Sequence, residues 1–179
     1  WSTSKVVTTI GMFILEEKNL IDFNDPVSKY IPSFSNLNCM KTKKQKNTNF
    51  EDGDDYCLSS DNIYPCKNQM KIIDLMSHRS GFCTPENFYV DAVKADNLEE
   101  LMEIISKQPL QYEPGTKYLY GVNQSILGRV IEVASNMQFG EFLDQYLFTP
   151  LDMNSTKFYL SKEDKINFQP LFLNTPSIK

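Results

Sequence analysis

The sequence predicts a mainly helical chain with few strands. Four apolar stripes recur at helical spacing, strand-like runs are short, and Pro26, Pro114 and Pro150 bound the stripes. The first stripe is Val6, Val7, Ile10, Phe13 and Ile14, which predicts a helix over 5–18 with that face buried. Asn19 and the acidic 22–25 segment end it. Asp25-Pro26 then reads as an N-cap and a first-turn proline for a short helix through Tyr30.

From about Asn36 to Gln69 the character changes. The run Lys41-Thr42-Lys43-Lys44-Gln45-Lys46 is followed by Glu51-Asp52-Gly53-Asp54-Asp55. Such a stretch buries too little apolar surface to offset its ordering entropy, so a polar, partly disordered surface insertion is expected at 36–69. Its acidic cluster lacks the spacing of a calcium loop and reads as solvated charge. Order is expected to return at Met70. Ile72, Ile73, Leu75 and Met76 predict a short helix stopping within Ser77-His78-Arg79-Ser80-Gly81, with Gly81 as terminator. Asn97 is a candidate cap for a helix carrying Leu98, Leu101, Met102 and Ile105, and Pro114-Gly115 predicts a tight turn. Ile126, Leu127, Val130, Ile131 and Ala134 form the third stripe. Phe142, Leu143, Tyr146 and Leu147 form the fourth, halted by Pro150. Lys157–Leu160 and Phe168–Leu173 are the strand candidates, and no repeat is visible.

A chain of 179 residues with 41% apolar and 23% charged side chains is long enough for one sizeable domain. Its net charge of −5 argues against a nucleic-acid partner. No apolar run approaches the roughly 18 residues of a membrane span. The chain starts at Trp1 without a leader-like segment, so it reads as an excised piece. Neither compartment nor oligomeric state is readable. Cys39, Cys57, Cys66 and Cys83 show no Cys-x-x-Cys spacing and His78 is the sole imidazole, so no metal is expected. Cys57 and Cys66 flank a polar loop at a spacing compatible with a disulfide in a secreted protein. Cys83 reads as a buried thiol rather than a nucleophile, because no second histidine exists to activate it.

The chemical signal is Ser2-Thr3-Ser4-Lys5 at the mouth of the first stripe. Positions i and i+3 of a helix share a face, which sets Lys5 behind Ser2, whereas Ser4 points elsewhere. Ser-Lys pairs of this kind run acyl transfer without histidine. With 15 serines and 16 lysines, one Ser-x-x-Lys is what composition alone supplies. Taken by itself, Ser2 is as readily a helix N-cap.

The order of the later segments adds specificity. After Ser2-x-x-Lys5 come Asp25-Pro26-Val27-Ser28-Lys29-Tyr30-Ile31-Pro32 and Leu75-Met76-Ser77-His78-Arg79-Ser80-Gly81-Phe82. Then follow Pro114-Gly115-Thr116-Lys117-Tyr118-Leu119-Tyr120-Gly121, Ile126-Leu127-Gly128-Arg129 and Leu147-Phe148-Thr149-Pro150-Leu151. Outside the insertion this series resembles the serine β-lactamase-related family, which takes in class C β-lactamases, D-alanyl-D-alanine carboxypeptidases and family VIII carboxylesterases. The resemblance implies an α/β (α+β) β-lactamase/DD-peptidase-like fold, of which this chain is mostly the helical middle, with the main-sheet strands largely missing. It implies Ser2 as nucleophile, Lys5 as its electrostatic partner and Tyr120 as general base, with Tyr118 and Tyr112 as fallback bases. His78, Ser80 and Gly81 take structural places near the site. The substrate implied is a small ester or amide, with no cofactor.

Class C enzymes place an asparagine two residues after the tyrosine. Here that residue is Val122 and Asn123 follows, a spacing closer to the esterases. A free phenol titrates near 10, so a tyrosine base near neutral pH needs about 4 kcal/mol of help. One ammonium at about 4 Å supplies energy of that order. The family completes its oxyanion hole from a late strand beside a Lys/His-x-Gly motif not found here, so little activity is expected of this chain in isolation. The alternative reading is a non-catalytic scaffold or binding protein of the same fold.

Overall fold

A computed structural model describes residues 2–41, 62–83 and 94–168. In chain order these form α1 (Ser4–Glu17), single 3-10 turns at Val27–Lys29 and Pro32–Phe34, β1 (Asn38–Met40), β2 (Ile63–Pro65) and α2 (Ile72–Met76). Then follow α3 (Leu98–Ile105), α4 (Asn123–Ser135), α5 (Phe139–Leu143), which runs on as a π turn over Asp144–Phe148, and α6 (Lys162–Asn167). β1 and β2 pair antiparallel with Cys39 opposite Tyr64, making one small sheet beside a mostly helical body.

The third stripe builds the centre. Ile126, Leu127, Val130 and Ile131 are fully buried on α4, and α1, α2, α3 and α5 pack around it. α3 starts as expected: Asn97 Oδ1 accepts the Glu100 amide at 2.9 Å, while Met102 and Ile105 turn into the core. In the fourth stripe Phe142, Leu143 and Leu147 are buried, and the helix widens into its π turn before Pro150.

Several local expectations need correction. On α1 the buried residues are Thr8, Gly11, Met12 and Leu15, while Val6, Ile10 and Phe13 are 59%, 37% and 52% exposed. The helix is apolar on two sides, so its stripe does not say which side meets α4 and α5. Pro26 is extended (φ −66°, ψ 136°) and bridges to Lys71, so the short helix expected after it is the single 3-10 turn Val27–Lys29. The Asp25 carboxylate is not a helix cap: it accepts from Lys29 Nζ at 2.7 Å, Tyr30 Oη at 2.6 Å and the Asp22 amide at 3.0 Å. The helix α2 is ended by His78, whose φ of +54° is left-handed, and not by Gly81 three residues later. Residues 157–160 form a bend with irregular flanks rather than a strand, and Phe168–Leu173 lies almost wholly outside the described residues.

The ends of the 36–69 segment are paired as β1 and β2, while its lysine-rich and acidic runs lie almost entirely outside the described residues. Cys66 bonds to Cys39 and not to Cys57, because the pairing of β1 with β2 brings those two side chains together. A cross-link across a separation of 27 residues removes chain entropy worth about 3 kcal/mol from the unfolded state. Cys83 is also disulfide-bonded rather than a thiol.

The Asp25 cluster predicts an acid dependence. Burial works against the Asp25 charge, but the hydrogen bonds from Lys29, Tyr30 and Asp22 outweigh it and hold the carboxyl at about 2. A carboxyl lowered on folding contributes stability above its unfolded value near 4, and that stability is lost as pH falls from there towards 2. Asp25→Asn is therefore expected to cost on the order of 1 kcal/mol at pH 7, the solvent-exposed Lys29 partner limiting the effect. The cost should vanish near pH 2, as read from denaturant midpoints at the two pH values.

Candidate active site

Ser2 lies in the turn that enters α1. Its carbonyl accepts the Lys5 amide at 3.0 Å. The N-cap position belongs to Thr3, which is already helical and makes no side-chain cap. The Ser2 hydroxyl is therefore not spent on capping. Its Oγ lies 2.9 Å from Tyr120 Oη, a residue 118 positions away, and Lys5 Nζ donates to it at 3.4 Å. The same ammonium stands 4.9 Å from the centre of the Tyr120 ring. Ser2 is solvent-exposed, so a ligand can reach it.

Three contacts fix Tyr120. The neighbouring Leu119 amide donates to the His78 carbonyl at 2.7 Å. The His78 ring stacks on the Tyr120 ring, with centroids 4.9 Å apart and planes at 19°. On the other flank Gly121 presses against the chain at Phe82, where an added Cβ would sit 2.3 Å from the Phe82 carbonyl oxygen. Gly121→Ala is expected to cost about 1–3 kcal/mol, since backbone and not a flexible side chain must move. A denaturation midpoint equal to wild type would show that the loop yields without strain.

Gly81 serves the same loop. Its φ is +87° and an added Cβ would fall 2.2 Å from the Tyr112 carbonyl oxygen, while its own carbonyl accepts from the Gln111 amide at 2.8 Å. Ser80 is fully buried and donates to Asn123 Oδ1. Asn123 Nδ2 in turn lies 2.8 Å from His78 Nδ1. The asparagine that follows the tyrosine thus faces inward, onto Ser80 and His78.

Of the three tyrosines considered, Tyr120 is the one brought onto Ser2. Tyr118 is 59% exposed with its ring 5.9 Å from His78, and Tyr112 lies beneath Lys117 Nζ at 4.6 Å. The linking role of Asn123 escaped the motif reading. Its signal was the spacing, since Asn123 stands three, four and seven positions before Ile126, Leu127 and Val130, on the buried face of α4.

Chemically, the Ser2 hydroxyl has an oxygen able to take its proton on one side and a cation on the other. Among the described residues, the group with metal-ligand proximity is Cys39, Cys66 and Glu113, but its two sulfurs are joined as the disulfide. A groove of about 1180 Å³ runs past Arg129, Glu132, Phe139 and Phe158, and neither Ser2 nor Tyr120 lines it. Arg129 there is paired with Glu99 and Glu132.

The family profile described as Beta-lactamase matches residues 1–171. A Salmonella typhimurium protein provisionally named D-alanyl-D-alanine carboxypeptidase is 28% identical over 162 residues, covering 88% of this chain and 32% of its own length. The chain thus spans about a third of the curated relatives it matches. Among solved structures, EstCE1, described as a hydrolase with promiscuous acyltransferase activity, superposes with a TM-score of 0.68 at 21% identity, covering 91% of this chain and 40% of that one. A penicillin-binding protein from Bacillus halodurans superposes with a TM-score of 0.63 at 18% identity over 88% and 42%. These likenesses show a β-lactamase/penicillin-binding-protein-like fold, represented here mostly by its helical part. With the profile covering nearly the whole length, the chain belongs to the beta-lactamase family.

Proposed function

We propose that the protein is a serine hydrolase that forms an acyl-enzyme on Ser2 and acts on a small ester or amide. The observation that carries this reading is the convergence of Ser2 Oγ, Tyr120 Oη and Lys5 Nζ at 2.9 and 3.4 Å. Tyr120 takes the hydroxyl proton as Ser2 attacks the carbonyl, then returns it to the leaving oxygen or nitrogen. Lys5 stabilises the negative charge that passes between them. Esterase or transesterase chemistry and hydrolysis of D-amino-acid amides or lactams both fit this step. The esterase side is favoured by Asn123, which faces the core and not the Ser2 hydroxyl.

The test is covalent labelling of the full-length protein with a fluorophosphonate and with a fluorescent penicillin, the adduct being mapped by mass spectrometry. An adduct on the Ser2 peptide is expected. Absence of any adduct from both probes would favour a non-catalytic scaffold of the same fold.

A further inference from the structure

The buried polar groups behind Tyr120 form a relay. Ser80 Oγ accepts from the Phe82 amide at 3.2 Å and donates to Asn123 Oδ1. The other end of that side-chain amide is the NH₂, which lies 2.8 Å from His78 Nδ1 and can only donate. His78 Nδ1 must then accept, and its ring proton sits on Nε2. Ser80 and Asn123 have no exposed surface, so water does not compete for these bonds. The ring so fixed is the one stacked on Tyr120.

We infer that Asn123 is a positioning residue: it fixes the tautomer of His78 and holds that ring flat against Tyr120, which keeps the phenol oxygen on Ser2. The inference deepens the proposed function and rests on Tyr120 being the base. Asn123 touches neither Ser2 nor Lys5 through any of these bonds. It acts through His78, and Ser80, itself held by the Phe82 amide, anchors the far end of the relay. A misaimed base costs rate without costing affinity, because ground-state binding does not need the proton transfer.

The experiment uses the full-length protein labelled with heavy nitrogen in histidine, with the His78 signals assigned by their loss in His78→Gln. At neutral pH the expected spectrum shows a bare, pyridine-like Nδ1 and a proton-bearing Nε2. A proton on Nδ1 overturns the inference. Asn123→Asp replaces the donor by an acceptor and is expected to move the proton onto Nδ1. It should also lower kcat roughly 10²-fold with KM within about twofold. Asn123→Leu, which removes the donor without adding charge, should lower kcat similarly. An unchanged kcat in a folded variant overturns the positioning role. Tyr120→Phe separates the two readings: full turnover there overturns both, whereas its loss together with a proton on Nδ1 overturns the relay alone.

Discussion

Turnover by the full-length Ser2→Ala protein is expected to fall by on the order of 10⁶-fold, to the level left by substrate binding alone. The reason is stoichiometric. In the proposed mechanism the Ser2 oxygen is the atom that becomes the acyl ester, and no neighbour can replace it: Thr3 is the N-cap residue, and Ser4 lies within α1, turned away from Lys5. The substitution should leave stability close to wild type, because the bonds of Ser2 Oγ to Tyr120 and Lys5 are solvent-exposed. A lost rate with an unchanged melting temperature would therefore be a loss of chemistry and not of folding. A mass adduct that persists in Ser2→Ala would move the nucleophile elsewhere and end the acyl-enzyme assignment for this residue.

The second large effect concerns the proposed base. Tyr120→Phe keeps the ring that stacks on His78 and meets the Lys5 ammonium, and removes only the oxygen 2.9 Å from Ser2. The expected result is a 10²–10⁴-fold fall in kcat with substrate binding retained. Lys5→Met, which keeps the length of the side chain and discards its charge, should fall in the same range. A pre-steady-state burst is expected for the wild type and should disappear in Tyr120→Phe, where acylation becomes rate-limiting. A burst of unchanged rate would remove Tyr120 from the proton transfer.

The Ser2–Lys5 half of the candidate site was legible from residues alone because it rests on short-range geometry. Ser2 and Lys5 are three apart at the start of a helix, and that spacing alone puts them on one face. The stripe Ile126, Leu127, Val130 and Ile131 was read correctly because both termini of α4 carry polar residues and only one face can be buried. The first stripe misled because α1 carries apolar residues on two sides, and periodicity cannot rank two faces. The terminator of α2 was assigned to glycine on conformational preference, yet a histidine bears the left-handed backbone. Its carbonyl is bonded to Leu119 and its ring to Asn123, so tertiary contacts override the local preference. The β1–β2 pairing was hidden because each strand is three residues long, too short for alternation to show. Missing that ribbon led directly to the wrong partner for Cys66. Tyr120 was within reach only through the order of the family's blocks, since nothing local ties it to a serine 118 residues away.

The Cys39–Cys66 bond has a practical consequence for anyone who purifies this protein. It straddles the whole lysine-rich and acidic stretch, whose sequence offers trypsin-like enzymes four lysines between Lys41 and Pro65. A single clip anywhere in that interval leaves both pieces tethered, so they travel as one band on a non-reducing gel and separate only after thiol treatment. The proposed nucleophile and base sit on opposite pieces, Ser2 upstream of the clip and Tyr120 downstream, and the tether keeps them in one molecule. Nicked preparations should therefore be judged on paired gels before any loss of rate is blamed on the catalytic residues.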